Sequence, residues 1–214
     1  IVKLGVDDLF VRQSFLAPAI AEFAELYPNV RLRMAQLEWP ELEQALASDT
    51  LDFCIISNPA ASSGSVTRSK NLSVRALGDY PDAAIVGRKY AALTEGETTR
   101  AQLAELPLIA SNPGTATRLF TDELFERRGI AAEPAVEVSS VDFRMKLVSL
   151  GLGYSFVPLA CARDGIRSGE LIPVTLSDCP LMREVMLMTS RTKQLSFAAR
   201  RFLEIMQRKL NLMD

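Results

Sequence analysis

Apolar and polar positions along this chain follow two alternating rhythms, one of strands and one of helices. Ile1-Val2-Lys3-Leu4-Gly5-Val6 has the pattern of a short buried strand. After the loop Asp7-Asp8-Leu9-Phe10, Leu16, Ile20, Phe23 and Tyr27 fall at helical spacing, with Glu22 and Glu25 facing away. Pro28-Asn29 stops that helix, and Val30 to Met34 alternates as a second strand. Trp39-Pro40-Glu41 opens a second helix carried by Leu42 and Leu46, and Leu51 to Ile56 is the third strand. Strand and helix taking turns in this way predict a parallel α/β sheet with right-handed crossovers.

The stretch Asn58 to Ser69, rich in Ala, Ser, Gly and Pro, is expected to be a loop. Ser73 to Leu77 and Ala83 to Val86 are two further expected strands, broken at Gly78-Asp79-Tyr80-Pro81. A second α/β pass follows: strand Leu108-Ile109-Ala110, helix Ala116 to Arg128 closed by Gly129, and strand Ala135 to Val138. Next come helix Val141 to Leu150, closed by Gly151, and strand Tyr154 to Val157, stopped by Pro158. Glu184 to Thr189 is a last strand, and Ser196 to Leu210 a closing helix with Ala198, Phe202, Ile205 and Lys209 along one side.

The closing strand and helix have no strand partner nearby in sequence, so their simplest place is back with the first unit. The expectation is an α/β chain of two Rossmann-like subdomains, 1–79 with 187–214 and 80–186. Two crossover segments would join them, with a small-ligand cleft between, at the carboxyl ends of strands and the amino ends of helices.

Composition narrows the function. The 214 residues include 24 Lys and Arg against 26 Asp and Glu, a net charge of −2, which gives no global reason to seek nucleic acid or an anionic membrane. There is no histidine, which excludes Ser-His-Asp triads, Cys-His pairs and HExxH zinc sites. Cys54, Cys161 and Cys179 are odd in number and have no CxxC spacing, so reduced thiols in a cytosolic protein are the easier reading than disulfides or structural zinc. Cys54 lies in the apolar run Phe53-Cys54-Ile55-Ile56, where a cysteine acts as a small core hydrophobe. No run of about 18 apolar residues predicts a membrane span. The chain opens directly in a strand without Met, as an excised domain or processed product would.

Four segments in register resemble one family. Phe23, Leu26-Tyr27-Pro28-Asn29-Val30-Arg31-Leu32, Leu42, Leu46 and Leu51-Asp52-Phe53-Cys54-Ile55 are followed by Lys146-Leu147-Val148-Ser149-Leu150-Gly151-Leu152-Gly153-Tyr154-Ser155-Phe156-Val157-Pro158 and Gly169-Glu170-Leu171-Ile172-Pro173-Val174. Their order and spacing resemble the effector-binding domain of LysR-type transcriptional regulators across nearly the whole chain. Asp49-Thr50 stands where that family usually has a Gly, and Ala17 where it often has Pro. The resemblance implies a type 2 periplasmic-binding-protein-like fold, an effector cleft, and no catalysis or cofactor. It also implies a small-molecule effector, homodimers or homotetramers, a cytoplasmic location, and RNA polymerase as a further partner. DNA would be bound only through an N-terminal winged helix-turn-helix that lies outside this chain. A solute-binding protein of a transporter shares the fold and is the alternative, although free cysteines fit an oxidising compartment poorly. An enzyme on the same fold is a more distant one: Asn112…Thr117-Arg118 faintly resembles the Asn-x-Thr-Arg-Phe of prephenate dehydratases, but Leu119 follows the Arg and the spacing differs.

The candidate ligand-binding residues each carry a plainer reading beside the functional one. Asp8 and Leu9, in a loop that the family places on the cleft floor, would accept a cationic or hydroxylated ligand group; Asp8 equally suits a helix amino terminus. Glu38 and Trp39 match another cleft-lining segment, yet Trp39 beside Pro40 also suits a packing cap. Ser57 and Asn58 follow the third strand at a ligand-facing position, and turn chemistry alone would select them too.

The strongest candidate is Ser111-Asn112-Pro113-Gly114-Thr115-Ala116-Thr117-Arg118, a polar loop from a strand end into a helix. Its backbone N–H groups and the Ser111 and Thr115 hydroxyls would bind an anion, with Arg118 a bidentate donor to a ligand carboxylate. Capping by Asn112 or Thr115, with Arg118 solvated, is the plainer reading, and capping is expected of Ser139-Ser140 one helix later. Gly151-x-Gly153 ends a helix and enters a strand, the reverse of the order that phosphate binding requires. The run Met182-Arg183-Glu184-Val185-Met186-Leu187-Met188 reads as a strand with apolar fill.

Overall fold

The computed structural model describes residues 1–7, 15–37, 39–58, 70–179 and 181–211, with Trp39, Asn58 and Thr94 described by backbone alone. It divides into two compact units: Ile1–Asp79 with Glu184–Asp214, and Tyr80–Arg183.

In unit 1, β1 (Val2–Val6) lies between β2 (Leu32–Gln36) and β3 (Phe53–Asn58), parallel to both, and β9 (Met182–Ser190) runs antiparallel to β3. Phe53, Cys54, Ile55 and Ile56 are all fully buried, because helices cover both faces of this strand. On one face α2 (Trp39–Ala47) brings Leu42 and Leu46 against Cys54 and Ile56, with Met186 and Met188 of β9. Gly5 permits that approach: a Cβ there would stand 2.6 Å from side-chain carbons of Leu42 and Leu51. On the other face, α1 (Leu16–Leu26) and α7 (Phe197–Asn211) supply Phe23 and Phe202, whose rings meet edge to face at 5.1 Å, with Phe53 6.2 Å from Phe202. Glu22, expected to face away, instead pairs with Arg208 and, at 2.8 Å, with Lys209 of α7.

In unit 2, the second half of β4 (Leu72–Val86) pairs antiparallel with β7 (Tyr154–Pro158) and with β8 (Ile172–Val174). β5 (Leu108–Ala110) lies parallel to both β7 and β6 (Pro134–Glu137). Alternation along β4 sends Ala84 and Val86 to a core with Phe120, Leu124, Phe125, Tyr154 and Phe156. Ala83 and Ile85 go to a second core with Val141, Val148, Val157 and Ala162. The first core is covered by α3 (Arg100–Ala104) and α4 (Ala116–Glu126), the second by α5 (Val141–Ser149) and α6 (Leu159–Ser168).

Several elements depart from the periodicity. The expected break at 78–81 is absent, and β4 is one strand of 15 residues. Pro81 has a φ compatible with extended backbone, and the ladder resumes with the Asp82 N–H donating to the Leu181 carbonyl at 2.8 Å. β2 begins at Leu32 rather than Val30. α3, α6 and β8 have no counterpart in the periodicity. α3 has five residues, too few for a period, and is fixed by a capping box of Thr99 and Gln102. Pro158 ends β7 as expected but also caps α6, whose one fully buried residue is Ala162. In α7 the buried stripe is Ala199, Phe202, Leu203, Ile205, Met206 and Leu210; Ala198 and Lys209 lie at its margin.

Candidate functional site

Polar groups gather where the parallel strands end. In unit 1, Asp7 follows β1 and Ser57 lies near the end of β3. Asp7 Oδ2 accepts from the Ser57 N–H at 2.7 Å and from its hydroxyl at 2.5 Å, and both residues are buried. Two adjacent parallel strands thus close on one carboxylate, and the hydroxyl of Ser57 is committed to it. The sequence places Asp7 and Asp8 together in the loop after β1 and points to Asp8 for the ligand, because nothing local marks Asp7 as the partner of a residue fifty positions away. Asp8, Leu9 and Glu38 lie outside the described residues, as do the side chains of Trp39 and Asn58.

In unit 2, Ser111 follows β5 and the chain turns through Asn112-Pro113-Gly114 into α4. Gly114 takes φ +85°, a backbone region that L side chains rarely enter. Thr115 is the cap: its Oγ1 accepts from the Arg118 N–H at 3.2 Å and donates to the Asn112 carbonyl at 2.9 Å. Asn112 itself is exposed. A cap of this kind satisfies one backbone donor and leaves the first N–H groups of the helix, those of Ala116 and Thr117, without an intrahelical acceptor. Ser111 is 1% exposed, and its hydroxyl has no hydrogen-bond partner among the described residues. A buried hydroxyl in that state costs about 1–3 kcal/mol, which a bound acceptor would return.

Arg118 is neither solvated nor free. Its Nε donates to Asp122 at 2.8 Å, and one terminal nitrogen reaches Glu137 and, at 3.4 Å, the Ser111 carbonyl. Those two carboxylates, Glu137 first, raise its pKa above the usual guanidinium value. The side chain therefore braces the loop against β6 and α4 while its charge is largely met. One helix later Ser140 caps α5, its hydroxyl accepting from the Phe143 N–H at 3.3 Å.

Behind the loop lies a buried ionic group that sequence reasoning did not find. Arg183 opens its two-pronged contact on one oxygen of Asp82, Nε at 2.7 Å and a terminal nitrogen at 2.5 Å, and both side chains are fully buried. Its other terminal nitrogen lies 3.4 Å from Thr117 Oγ1, and its guanidinium carbon sits 4.2 Å from the centre of the Phe120 ring. Burial pushes the Asp82 carboxyl above the usual carboxylate range, against the pull of Arg183 and then Arg144. Arg144, also fully buried, donates to the carbonyls of Val138 and Ser139 at 3.1 and 2.9 Å. The expected apolar fill of 182–188 is thus inverted at its start: Met182 is exposed and Arg183 faces inward, while Met186 and Met188 are core. Among the described residues no group of three or more Cys, Asp or Glu side chains is placed to hold a metal, and no helix is long and apolar enough to cross a membrane.

Two α/β units crossed by two long strands, with polar groups at the carboxyl ends of their parallel strands, define a type 2 periplasmic-binding-protein-like ligand-binding domain. The chain belongs to the LysR substrate binding domain family, whose model matches residues 1–211. It is 24% identical over 191 residues to the HTH-type transcriptional activator CmpR of Synechocystis, covering 89% of this chain and 60% of that protein. The chain thus spans about three-fifths of the length of such relatives. Among solved structures, the regulatory domain of Synechocystis CcmR in complex with 2-PG superposes with a TM-score of 0.82 at 19% identity, covering 97% of this chain and 95% of that one. The effector-binding domain of BenM with its effector benzoate gives 0.81 at 15% identity, with 99% and 92% covered.

Proposed function

We propose that this domain senses a small organic effector for a LysR-type transcriptional regulator and carries out no chemistry on it. The effector presents a carboxylate or similar oxyanion to the Ser111 hydroxyl and the free N–H groups at the start of α4. Arg118, held by Asp122 and Glu137, orients that loop and adds a screened positive charge. The remaining contacts are proposed to come from Asp8, Leu9, Glu38, Trp39, Asn58 and Asn112, while Ser57 and Thr115, whose hydroxyls are held by Asp7 and by the α4 cap, are proposed to contribute by shape only. The rest of the regulator supplies a helix-turn-helix that binds DNA, and copies assemble as dimers or tetramers in the cytoplasm, with RNA polymerase a further partner. Ligand binding shifts the balance between conformations by its difference in affinity for them.

The observation that carries the reading is the buried, unpartnered Ser111 hydroxyl beside an uncommitted helix amino terminus, in a chain matched by the family model over residues 1–211. The comparisons add support: benzoate is a carboxylate, and the relatives include transcriptional regulators. The test is calorimetric titration of the chain with a panel of small carboxylates that includes benzoate and 2-PG. At least one is expected to bind, and Ser111→Ala to weaken it about tenfold, one charge-assisted hydrogen bond's worth. Equal affinity of wild type and Ser111→Ala for every ligand that binds overturns this placement of the site.

A further inference from the structure

The boundaries between the two units fall inside β4, at 79/80, and inside β9, at 183/184, so these strands are the two places where the chain passes from one unit to the other. Asp82 stands three residues beyond the first boundary, and Arg183 is the last residue before the second. Their buried ion pair therefore fastens one crossover strand to the other, reinforced by the hydrogen bond from the Asp82 N–H to the Leu181 carbonyl. The same guanidinium also touches α4 twice, through Thr117 Oγ1 and the Phe120 ring, within the first five residues of the helix.

We propose that Arg183 is a positioning residue that relays occupancy of the α4 amino terminus to both crossover strands. The proposal rests on the effector-site reading above. A buried guanidinium has a fixed set of donors; here Nε donates to one Asp82 oxygen, and a terminal nitrogen lies in ion-pair contact with that same oxygen. A shift or rotation of the first turn of α4, as it closes on an oxyanion, moves Thr117 and Phe120. Arg183 follows, because leaving either contact strands buried polar surface. Asp82 follows Arg183, since separating this pair in the interior is costlier than moving it intact. Both strands then change together, in the only two segments through which unit 1 is covalently joined to unit 2. Interior packing is close and deforms poorly, which favours a concerted switch over a diffuse yielding of the core.

The relay is tested by hydrogen exchange across 80–86 and 181–187, with and without a saturating carboxylate from the panel, in wild type, Phe120→Leu and Arg183→Lys. Both substitutions keep a buried side chain of similar bulk, and Arg183→Lys keeps the charge facing Asp82, so both variants are expected to fold. In wild type the ligand is expected to change exchange at least threefold in both segments. In each variant the ligand is expected to bind within threefold of the wild-type affinity while the change in exchange is lost. A residue of merely structural importance would alter ligand-free exchange or affinity and leave the ligand-induced change in place. Retention of the full ligand-induced change in both variants at equal saturation overturns the relay and leaves the effector site standing. Failure of every carboxylate in the panel to bind wild type overturns the effector-site reading, and the relay with it.

Discussion

Asp7 and Ser57, fifty residues apart in the chain, are joined by two hydrogen bonds to the same carboxylate oxygen, one from the Ser57 backbone and one from its hydroxyl. The pair ties the end of β1 to the end of β3, where no ladder continues to hold the two strands.

Removing either half should therefore cost stability in proportion to what is left unpaired. Ser57→Ala keeps the backbone bond and is expected to cost about 1–2 kcal/mol. Asp7→Ala strands a buried hydroxyl and a buried N–H, and is expected to cost about 2–4 kcal/mol. Urea unfolding of the two variants checks the order: Ser57→Ala falling below Asp7→Ala in stability contradicts this account.

Gly153 is required by close approach and not by backbone freedom. A Cβ there would overlap the carbonyl oxygen of Pro107, the acceptor of the Tyr154 N–H at 3.0 Å that starts the pairing of β7 with β5. Backbone cannot give way as a flexible side chain can, so Gly153→Ala is expected to destabilise the chain by about 3 kcal/mol or more. Gly96→Ala, where nothing lies within 4 Å, is the control and should leave the melting temperature nearly unchanged.

Burial pushes the Cys54 thiol up to about 12, with a backbone hydrogen bond from Gly5 opposing the shift. Its folded-state pKa thus lies above the unfolded value, so this contribution to stability is fully present below about 9 and is lost as pH rises toward 12. In the folded chain Cys54 is expected to resist alkylation at pH 8, and labelling at this position should appear only with denaturant, in step with global unfolding. Mass spectrometry after a timed iodoacetamide pulse reads this directly, and labelling of Cys54 in the native protein at the rate of a free thiol would refute it.

Glu22 joins α1 to α7 through Lys209 and Arg208, and the Lys209 contact foremost lowers its carboxyl pKa. For a lowered pKa the contribution is present above the ordinary carboxylate value of 4.5 and is lost as pH falls through the folded value. Glu22→Gln is accordingly expected to make stability less steeply dependent on pH below 4.5, with a smaller difference from wild type in high salt. Thermal melts between pH 3 and 7 in low and high salt test both halves of this prediction.

Most of the alternation of strands and helices is legible in the residues alone, since buried strands and amphipathic helices leave their periods in the side chains that form their buried faces. Phe23, Leu42, Leu46 and the run from Phe53 to Ile56 could be assigned to the core for that reason. Thr115 and Ser140 were legible as capping candidates because a cap is a local bond to a backbone N–H three residues on. Short elements such as α3 and β8 were not legible, because three to five residues carry no period. The partners of charged and hydroxylated side chains, by contrast, come from the folding of distant segments onto one another. Arg118 has the same sequence signature whether it meets solvent, a ligand, or Asp122 and Glu137. Arg183 and Asp82 lie 101 residues apart, and nothing near either residue announces the other. Such pairs depend on which strands become neighbours, and that is set by the packing of the whole unit.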